Sequence, residues 1–225
     1  MSINQKYNFK VKYEQFGNIV DENYYDLSEI KLIEKFEQCV LELKQIKKEP
    51  YTMLELGANQ AYYSLLFSAI LGNKNCINIM IEPQDQIHRG IENFKLNNYD
   101  GIFIKAAVAN SYVMRNLITR VDLNVPVLSF NEILNKVELN SFDVLHCDID
   151  GHEEKLILDE KDFFNLNKFK YIFLCTHSVD KHISCKKMLL DFGYDLIYEI
   201  DPSVSNYTPH IDGVGHDSLL IFKQF

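Results

Sequence analysis

Short apolar runs alternate along the chain with longer segments whose apolar residues recur every three or four positions. The short runs, bounded by turn residues, predict buried strands, and the helical spacing predicts amphipathic helices. The predicted strands are 52–56, 77–81, 102–108, 142–147, 171–175, 195–200 and 218–222. The predicted helices are 27–46, 62–70, one through residues 87–94, one after the Ser129–Glu132 capping box, and 181–192. Residues 110–126 match neither pattern.

This strand–helix alternation predicts an α/β domain: a doubly wound, mostly parallel sheet with helices on both faces. The alternation begins at Tyr51, so we expect residues 51–225 to form the domain. Residues 1–50 are predicted to be an N-terminal helical extension that packs on it. Ligands of such sheets bind at the carboxyl ends of the strands, so candidate site residues are those that follow each strand.

Composition narrows the possible partners. The chain has 225 residues and a net charge of −9, and its largest basic group, Lys44, Lys47 and Lys48, lies at a predicted helix end. This argues against a nucleic-acid partner, which needs a basic face. Neither a run of about 20 apolar residues nor a secretory apolar segment occurs, so we expect a cytoplasmic protein without a membrane span. The oligomeric state is not predicted.

A glycine and a carboxylate follow the first two predicted strands. Gly57 permits a tight turn and a close backbone approach to a ligand, with Ala58 and Asn59 directly after it. The second strand ends at Glu82 and Pro83. An acidic residue there can accept hydrogen bonds from both hydroxyls of a ribose. The pair therefore predicts a nucleoside-containing cofactor.

The rest of the glycine loop distinguishes between two possible cofactors, NAD and S-adenosylmethionine. NAD needs further glycines where its pyrophosphate meets a helix N-terminus, but Asn59, Gln60 and Ala61 stand there. S-adenosylmethionine carries no phosphate, so the loop favours it. An NAD-dependent oxidoreductase remains the alternative.

Four segments, taken in order, resemble the FkbM family of S-adenosylmethionine-dependent methyltransferases. They are Leu54–Asn59 with Tyr63 and Ser64; Ile81–Pro83 with Asn93, Leu96–Asn98 and Lys105–Val108; Val127–Glu132; and Phe142–Glu153. The chain departs from the family pattern where Ala61 replaces a usual glycine, Asp150 a commoner glutamate and His146 a usual lysine. Ala61 is the one feature that favours a third alternative, a non-catalytic module that retains the fold.

The resemblance implies a class I methyltransferase fold, Rossmann-like, with an antiparallel final strand. It also implies an O-methyltransferase acting on a hydroxyl of a glycan, a sugar nucleotide or another secondary metabolite. The residues it assigns to the cofactor site are Glu55, Gly57, Ala58, Asn59, Glu82, Pro83, Ala107 and Asp148, with Asp148 beside the methyl group.

A hydroxyl acceptor needs a base or a metal, because a sugar hydroxyl is barely acidic. His177, directly after the fifth strand, is the first choice of base, since an ordinary histidine pKa of about 6.5 suits the role. Asp148 and His216 are further catalytic candidates. Other acidic and histidine residues on the same side are His152, His210, Asp212 and Asp217.

A divalent metal is the alternative way to activate the hydroxyl. Alternation along an extended chain would place Asp148 and Asp150 on one side, where they could bind Mg²⁺ or Mn²⁺ together with His177. If Asp150 and Gly151 instead form a turn, Asp148 serves only as a hydrogen-bonding group. The cysteine motif of zinc deaminases is missing, which excludes that class.

Overall fold

A computed structural model describes residues 3–12, 14–15, 18–19, 27–112, 114–115, 125–202 and 218–224. The chain divides into two compact units, Met1–Lys105 and Ala106–Phe225. The division at residue 50 expected from the sequence stays a prediction. Among the described residues, no helix combines the length and the apolar character that a membrane crossing needs.

The first unit contains five strands and four α-helices among its described residues. They are α1 (Ile3–Tyr7), β1 (Glu14–Gln15), β2 (Asn18–Ile19), α2 (Leu27–Ile46), β3 (Tyr51–Leu56), α3 (Tyr62–Leu71), β4 (Cys76–Ile81), α4 (Ile87–Leu96) and β5 (Ile102–Ile104). Strands β3, β4 and β5 pair in parallel. Helix α3 is buried on almost every side, which explains its uniformly apolar sequence. Helix α2 packs on it, with the Phe36 and Tyr63 rings 5.2 Å apart.

The second unit continues the alternation. Its described elements are β6 (Ala107–Val108), β7 (Val127–Leu128), α5 (Phe130–Val137), β8 (Phe142–Cys147), α6 (Glu153–Asp159), α7 (Lys161–Asn165), β9 (Phe169–Thr176), α8 (Val179–Asp191), β10 (Asp195–Ile200) and β11 (Ser218–Lys223). Strands β8 and β9 are parallel, and β11 is antiparallel to both β9 and β10. The predicted capping box is confirmed: Ser129 and Glu132 cap the start of α5 reciprocally.

The strands of the main sheet are ordered β3-β4-β5 in the first unit and β10-β11-β9-β8 in the second. The predicted mostly parallel sheet with an antiparallel final strand is confirmed. Strands 142–147 and 195–200 have the predicted bounds.

The third strand is shorter than predicted. Strand β5 ends at Ile104, and Ala107–Val108 pairs with β7 in a separate two-stranded sheet. The strand is shorter because the chain changes its pairing partner after Ile104. The N–H of Ala107 donates to the carbonyl of Pro126 at 2.9 Å. Helices α6 and α7 were not predicted, because each is too short for a periodic pattern to show.

Candidate functional site

The glycine loop, residues 57–61, folds back on the end of β4. The N–H groups of Gly57 and Ala58 donate to the carbonyl of Ile81 at 3.0 and 3.2 Å. Three loop residues have left-handed backbone conformations: Gly57 with φ 70°, Asn59 with φ 42° and Ala61 with φ 57°. The sequence predicted the turn at Gly57. The structure shows in addition that Asn59 and Ala61, which lack the conformational freedom of glycine, adopt left-handed conformations in the same loop.

Glu82 closes this arrangement from the second strand. Its buried side chain accepts hydrogen bonds from the N–H of Asn59 at 3.2 Å and from the N–H of Gln84 at 2.9 Å. The carboxylate is thereby held against the glycine loop. A carboxylate oxygen can accept more than one hydrogen bond, so these backbone contacts are compatible with a ribose hydroxyl as a further partner. The structure therefore brings together the two features that predicted a nucleoside site.

Ala61, the departure from the family pattern, has its own structural explanation. It is fully buried, and a Cβ added to Gly90 of α4 would lie 3.0 Å from the Ala61 methyl carbon. The methyl group thus lies against α4, where Gly90 leaves room for it. The non-catalytic alternative that Ala61 favoured stays a prediction.

Glu55, predicted to line the cofactor site, holds the start of α3. Its buried carboxylate accepts hydrogen bonds from the hydroxyl of Ser64 and from the Ser64 N–H, the latter at 3.1 Å. Ser64 lies in the first turn of α3, where helix N–H groups lack partners within the helix. A cofactor contact of Glu55 stays a prediction, as does that of Pro83, which is half-buried just after β4.

Asn93 of α4 fixes the glycine loop from the other side. Its side-chain amide donates to the carbonyl of Gln60 at 3.1 Å and accepts from the N–H of Lys12 at 2.8 Å. Asn93 itself is fully buried, and its two partners are partly exposed, so Asn93 ties the loop and the N-terminal segment to α4 from within. The sequence offered Asn93 only as part of a motif and gave no role for it.

In the second unit, Asp148, Glu153 and His177 form what we term the Asp–Glu–His cluster. One ring nitrogen of His177, Nε2, lies 3.3 Å from Oδ1 of Asp148, and the other, Nδ1, lies 3.1 Å from Oε1 of Glu153. One donor atom from each of the three residues lies within 4.8 Å of the others. The ends of β8 and β9 and the start of α6 position these side chains.

Glu153 is the residue that sequence reasoning missed. It is fully buried, and its Oε1 accepts the N–H groups of Ile149 and Gly151 at 3.1 and 3.0 Å. Asp150, which was predicted for the metal site, is exposed and is outside the cluster. The extended chain assumed for 148–152 ends at Cys147, and Asp150 and Gly151 form a turn with φ 52° and 83°. That turn brings Glu153 back toward His177.

The expected ordinary pKa of His177 is wrong. Burial disfavours the charged ring, but hydrogen bonds and charges from Asp148 and Glu153 outweigh it and raise the pKa of His177 to about 10. Both carboxylates therefore favour the protonated ring in this arrangement, and the assignment of His177 as general base stays a prediction. Asp148, whose side chain is 41% exposed, is the most solvent-accessible member of the cluster.

The other candidates fall into three groups. His216, His210, Asp212 and Asp217 lie outside the described residues. His146 is buried within β8, where burial lowers its pKa to about 4, and His152 is exposed before α6. Ala107 is half-buried in β6, and its assignment to the cofactor site stays a prediction.

Comparisons with known proteins identify the fold. The METTL16 MTase domain aligns over 98% of this chain and 74% of its own, with 12% identity and a TM-score of 0.57. The CurJ carbon methyltransferase aligns over 90% of this chain and 56% of its own, with 10% identity and a TM-score of 0.55. The human methyltransferase 10 domain containing protein aligns over 93% and 89%, with 14% identity and a TM-score of 0.50.

The chain therefore has the Rossmann-like fold of the class I methyltransferases. No protein-family model matches the sequence. No curated protein matches it either. The FkbM resemblance accordingly stays a prediction from the motifs.

Proposed function

We propose that this protein is an S-adenosylmethionine-dependent methyltransferase whose first unit binds the adenosine part of the cofactor. The observation that carries the proposal is the junction of Glu82 with the glycine loop through the N–H of Asn59. A buried carboxylate fixed beside a glycine turn is suited to bind the two hydroxyls of a ribose. The methyltransferase fold supports the same cofactor.

The start of α3 argues for S-adenosylmethionine over NAD. A dinucleotide places its pyrophosphate at the helix N-terminus that follows the glycine loop. Here the Glu55 carboxylate already accepts the N–H of Ser64 in the first turn of α3. A pyrophosphate would compete with this carboxylate and be repelled by it, whereas S-adenosylmethionine brings no phosphate to the helix.

We propose a hydroxyl of a glycan, a sugar nucleotide or another secondary metabolite as the methyl acceptor, on the strength of the FkbM resemblance. Methyl transfer to a hydroxyl releases a proton, so a proton acceptor is needed. Asp148 is our candidate for that acceptor, because its side chain is 41% exposed, whereas those of Glu153 and His177 are buried. His216 keeps the catalytic role predicted from the sequence.

Calorimetric titration of the purified protein with S-adenosylmethionine and S-adenosylhomocysteine tests the proposal. We expect both to bind, and we expect Glu82→Gln to weaken binding at least about tenfold, since a charged acceptor of two hydrogen bonds is lost. Asp85→Asn is the matched control, because Asp85 is exposed just beyond Glu82. We expect this variant to bind the cofactor as tightly as the parent does. Folded protein that gives no heat with either compound, or that enhances NADH fluorescence, would contradict the proposal.

A further inference from the structure

We infer that the Asp–Glu–His cluster is a binding site for one divalent cation, with Asp148, Glu153 and His177 as its protein ligands, and that the ion displaces one ring proton of His177 to solvent when it binds. The three donor atoms already lie within 4.8 Å of one another. Two carboxylates and one imidazole form a mixed oxygen and nitrogen ligand set, which suits Mn²⁺ better than the all-oxygen preference of Mg²⁺. The inference does not depend on methyl transfer.

Glu153 gives the strongest independent indication of a missing ligand. Its side chain is fully buried, and Oε1 is occupied by two backbone N–H groups and the His177 ring. Among the described residues, Oε2 has no hydrogen-bond partner. A buried carboxylate oxygen without a partner is costly, and a cation at Oε2 would remove that cost.

The backbone around the cluster favours a preformed site. Two N–H groups, those of Ile149 and Gly151, fix the Glu153 carboxylate from the turn that follows β8. Metal sites depend on such hydrogen bonds, which orient the ligands before the ion binds. The Asp148 side chain is 41% exposed, so the cluster is open to solvent on that side. An ion could therefore enter and keep water, or an oxygen of an acceptor, among its ligands.

Titration with Mn²⁺ alone tests the inference, with free Mn²⁺ measured by electron paramagnetic resonance in the absence of S-adenosylmethionine. We expect saturable binding of one ion per chain. Asp148→Asn and Glu153→Gln should each weaken it at least about tenfold, since each replaces a charged ligand by an amide of the same shape. Asp150→Asn is the matched control, because Asp150 is an exposed carboxylate of the same turn that lies outside the cluster.

Binding that stays intact in Asp148→Asn or in folded Glu153→Gln, or that falls equally in Asp150→Asn, would overturn the inference. So would a parent protein that binds no Mn²⁺ saturably. Thermal unfolding establishes whether each variant is folded, and Asp148→Asn alone decides the matter if Glu153→Gln does not fold. Because no cofactor is present in this titration, a protein that binds no Mn²⁺ can still be a methyltransferase. Likewise, a protein that does not bind S-adenosylmethionine can still bind Mn²⁺ at this cluster.

Discussion

The buried carboxylate of Glu55 in β3 accepts hydrogen bonds from both the backbone N–H and the hydroxyl of Ser64 in α3. Helix α3 needs this contact because its N-cap residue is Ala61, which has no side-chain oxygen to accept a helix N–H. The strand thus supplies the cap that the loop cannot. The start of helix α3 therefore depends on a side chain from strand β3.

Glu55→Ala should destabilise the protein by about 2–4 kcal/mol, because it leaves two buried donors of Ser64 without their acceptor. Ser64→Ala should cost less, about 1–2 kcal/mol, since the backbone N–H keeps its partner. Urea unfolding followed by circular dichroism measures both. Glu92→Ala is the control: its exposed ion pair with Lys12 should contribute less than about 1 kcal/mol. Equal effects of Glu55→Ala and Glu92→Ala would refute the capping role.

Gly90→Ala should destabilise the protein by about 1–3 kcal/mol, although alanine is normally the better helix former. The added carbon would lie 3.0 Å from both the Ala61 methyl carbon and Cε1 of Phe103 and 3.3 Å from the carbonyl oxygen of Asn59, so these neighbours must shift to admit it. In an Ala61→Gly background the same change should cost less, because one of these close contacts is gone. A double-mutant cycle measured by thermal unfolding gives the coupling. Additive effects would show that the two residues do not constrain each other.

The sequence predicted the main strands and helices because each buries a continuous apolar face, as the exact match at Phe142–Cys147 illustrates. It predicted the β5 region less well, since the apolar run 102–108 carries no sign that Ala107 pairs with a different strand. The pattern of apolar residues along the sequence indicates which residues are buried, but it does not indicate which strands pair with each other.

The Asp–Glu–His cluster was predicted in part, for a similar reason. Asp148 and His177 follow apolar strands, so their positions could be expected. The choice of Asp150 assumed that the strand continues, whereas Asp150 and Gly151 adopt positive φ and reverse the chain. An Asp–Gly pair is a turn signal, and the turn left open as the alternative in the sequence is the conformation that the structure has. The raised pKa of His177 follows from hydrogen bonds and charges of Asp148 and of Glu153, and the alternation pattern placed only Asp148.

Thr176 and Glu199 should be energetically coupled through the buried ring of His182. The Thr176 hydroxyl lies 2.9 Å from Nδ1 of His182, and Oε1 of Glu199 lies 2.9 Å from Nε2. Thr176→Val keeps the side-chain shape and should cost about 1–3 kcal/mol, because His182 and Ser218 both lose a buried partner.

When Thr176→Val is combined with Glu199→Gln, the loss in the free energy of unfolding should differ from the sum of the two single losses by more than about 0.5 kcal/mol. The measurement is urea unfolding of the two single variants and the double variant. The matched pair is Thr176→Val with Asp162→Asn, an exposed change in α7. If both pairs prove equally additive, the histidine does not transmit the interaction.

Glu160 should make the protein less stable as the pH rises from about 5 to about 8. Burial, aided by the charge of Asp159 and opposed by the N–H of Phe130, raises the pKa of Glu160 from 4.5 to about 7. Between those values the folded chain keeps a proton that the unfolded chain has lost. Folding is therefore favoured at the lower pH, and this contribution fades as the pH passes 7.

Glu160→Gln should remove this pH dependence, because a glutamine can still accept the Phe130 N–H, which donates to Oε1 of Glu160 at 2.9 Å. One pKa unit corresponds to about 1.4 kcal/mol. Between pH 5 and pH 8 the free energy of unfolding should therefore fall by about 2–3 kcal/mol more in the parent than in the variant. Urea unfolding at both pH values measures the difference, with the exposed Asp162→Asn change as the control that should follow the parent. Identical pH profiles for the parent and Glu160→Gln would mean that the Glu160 carboxyl is ionised in the folded protein despite its burial.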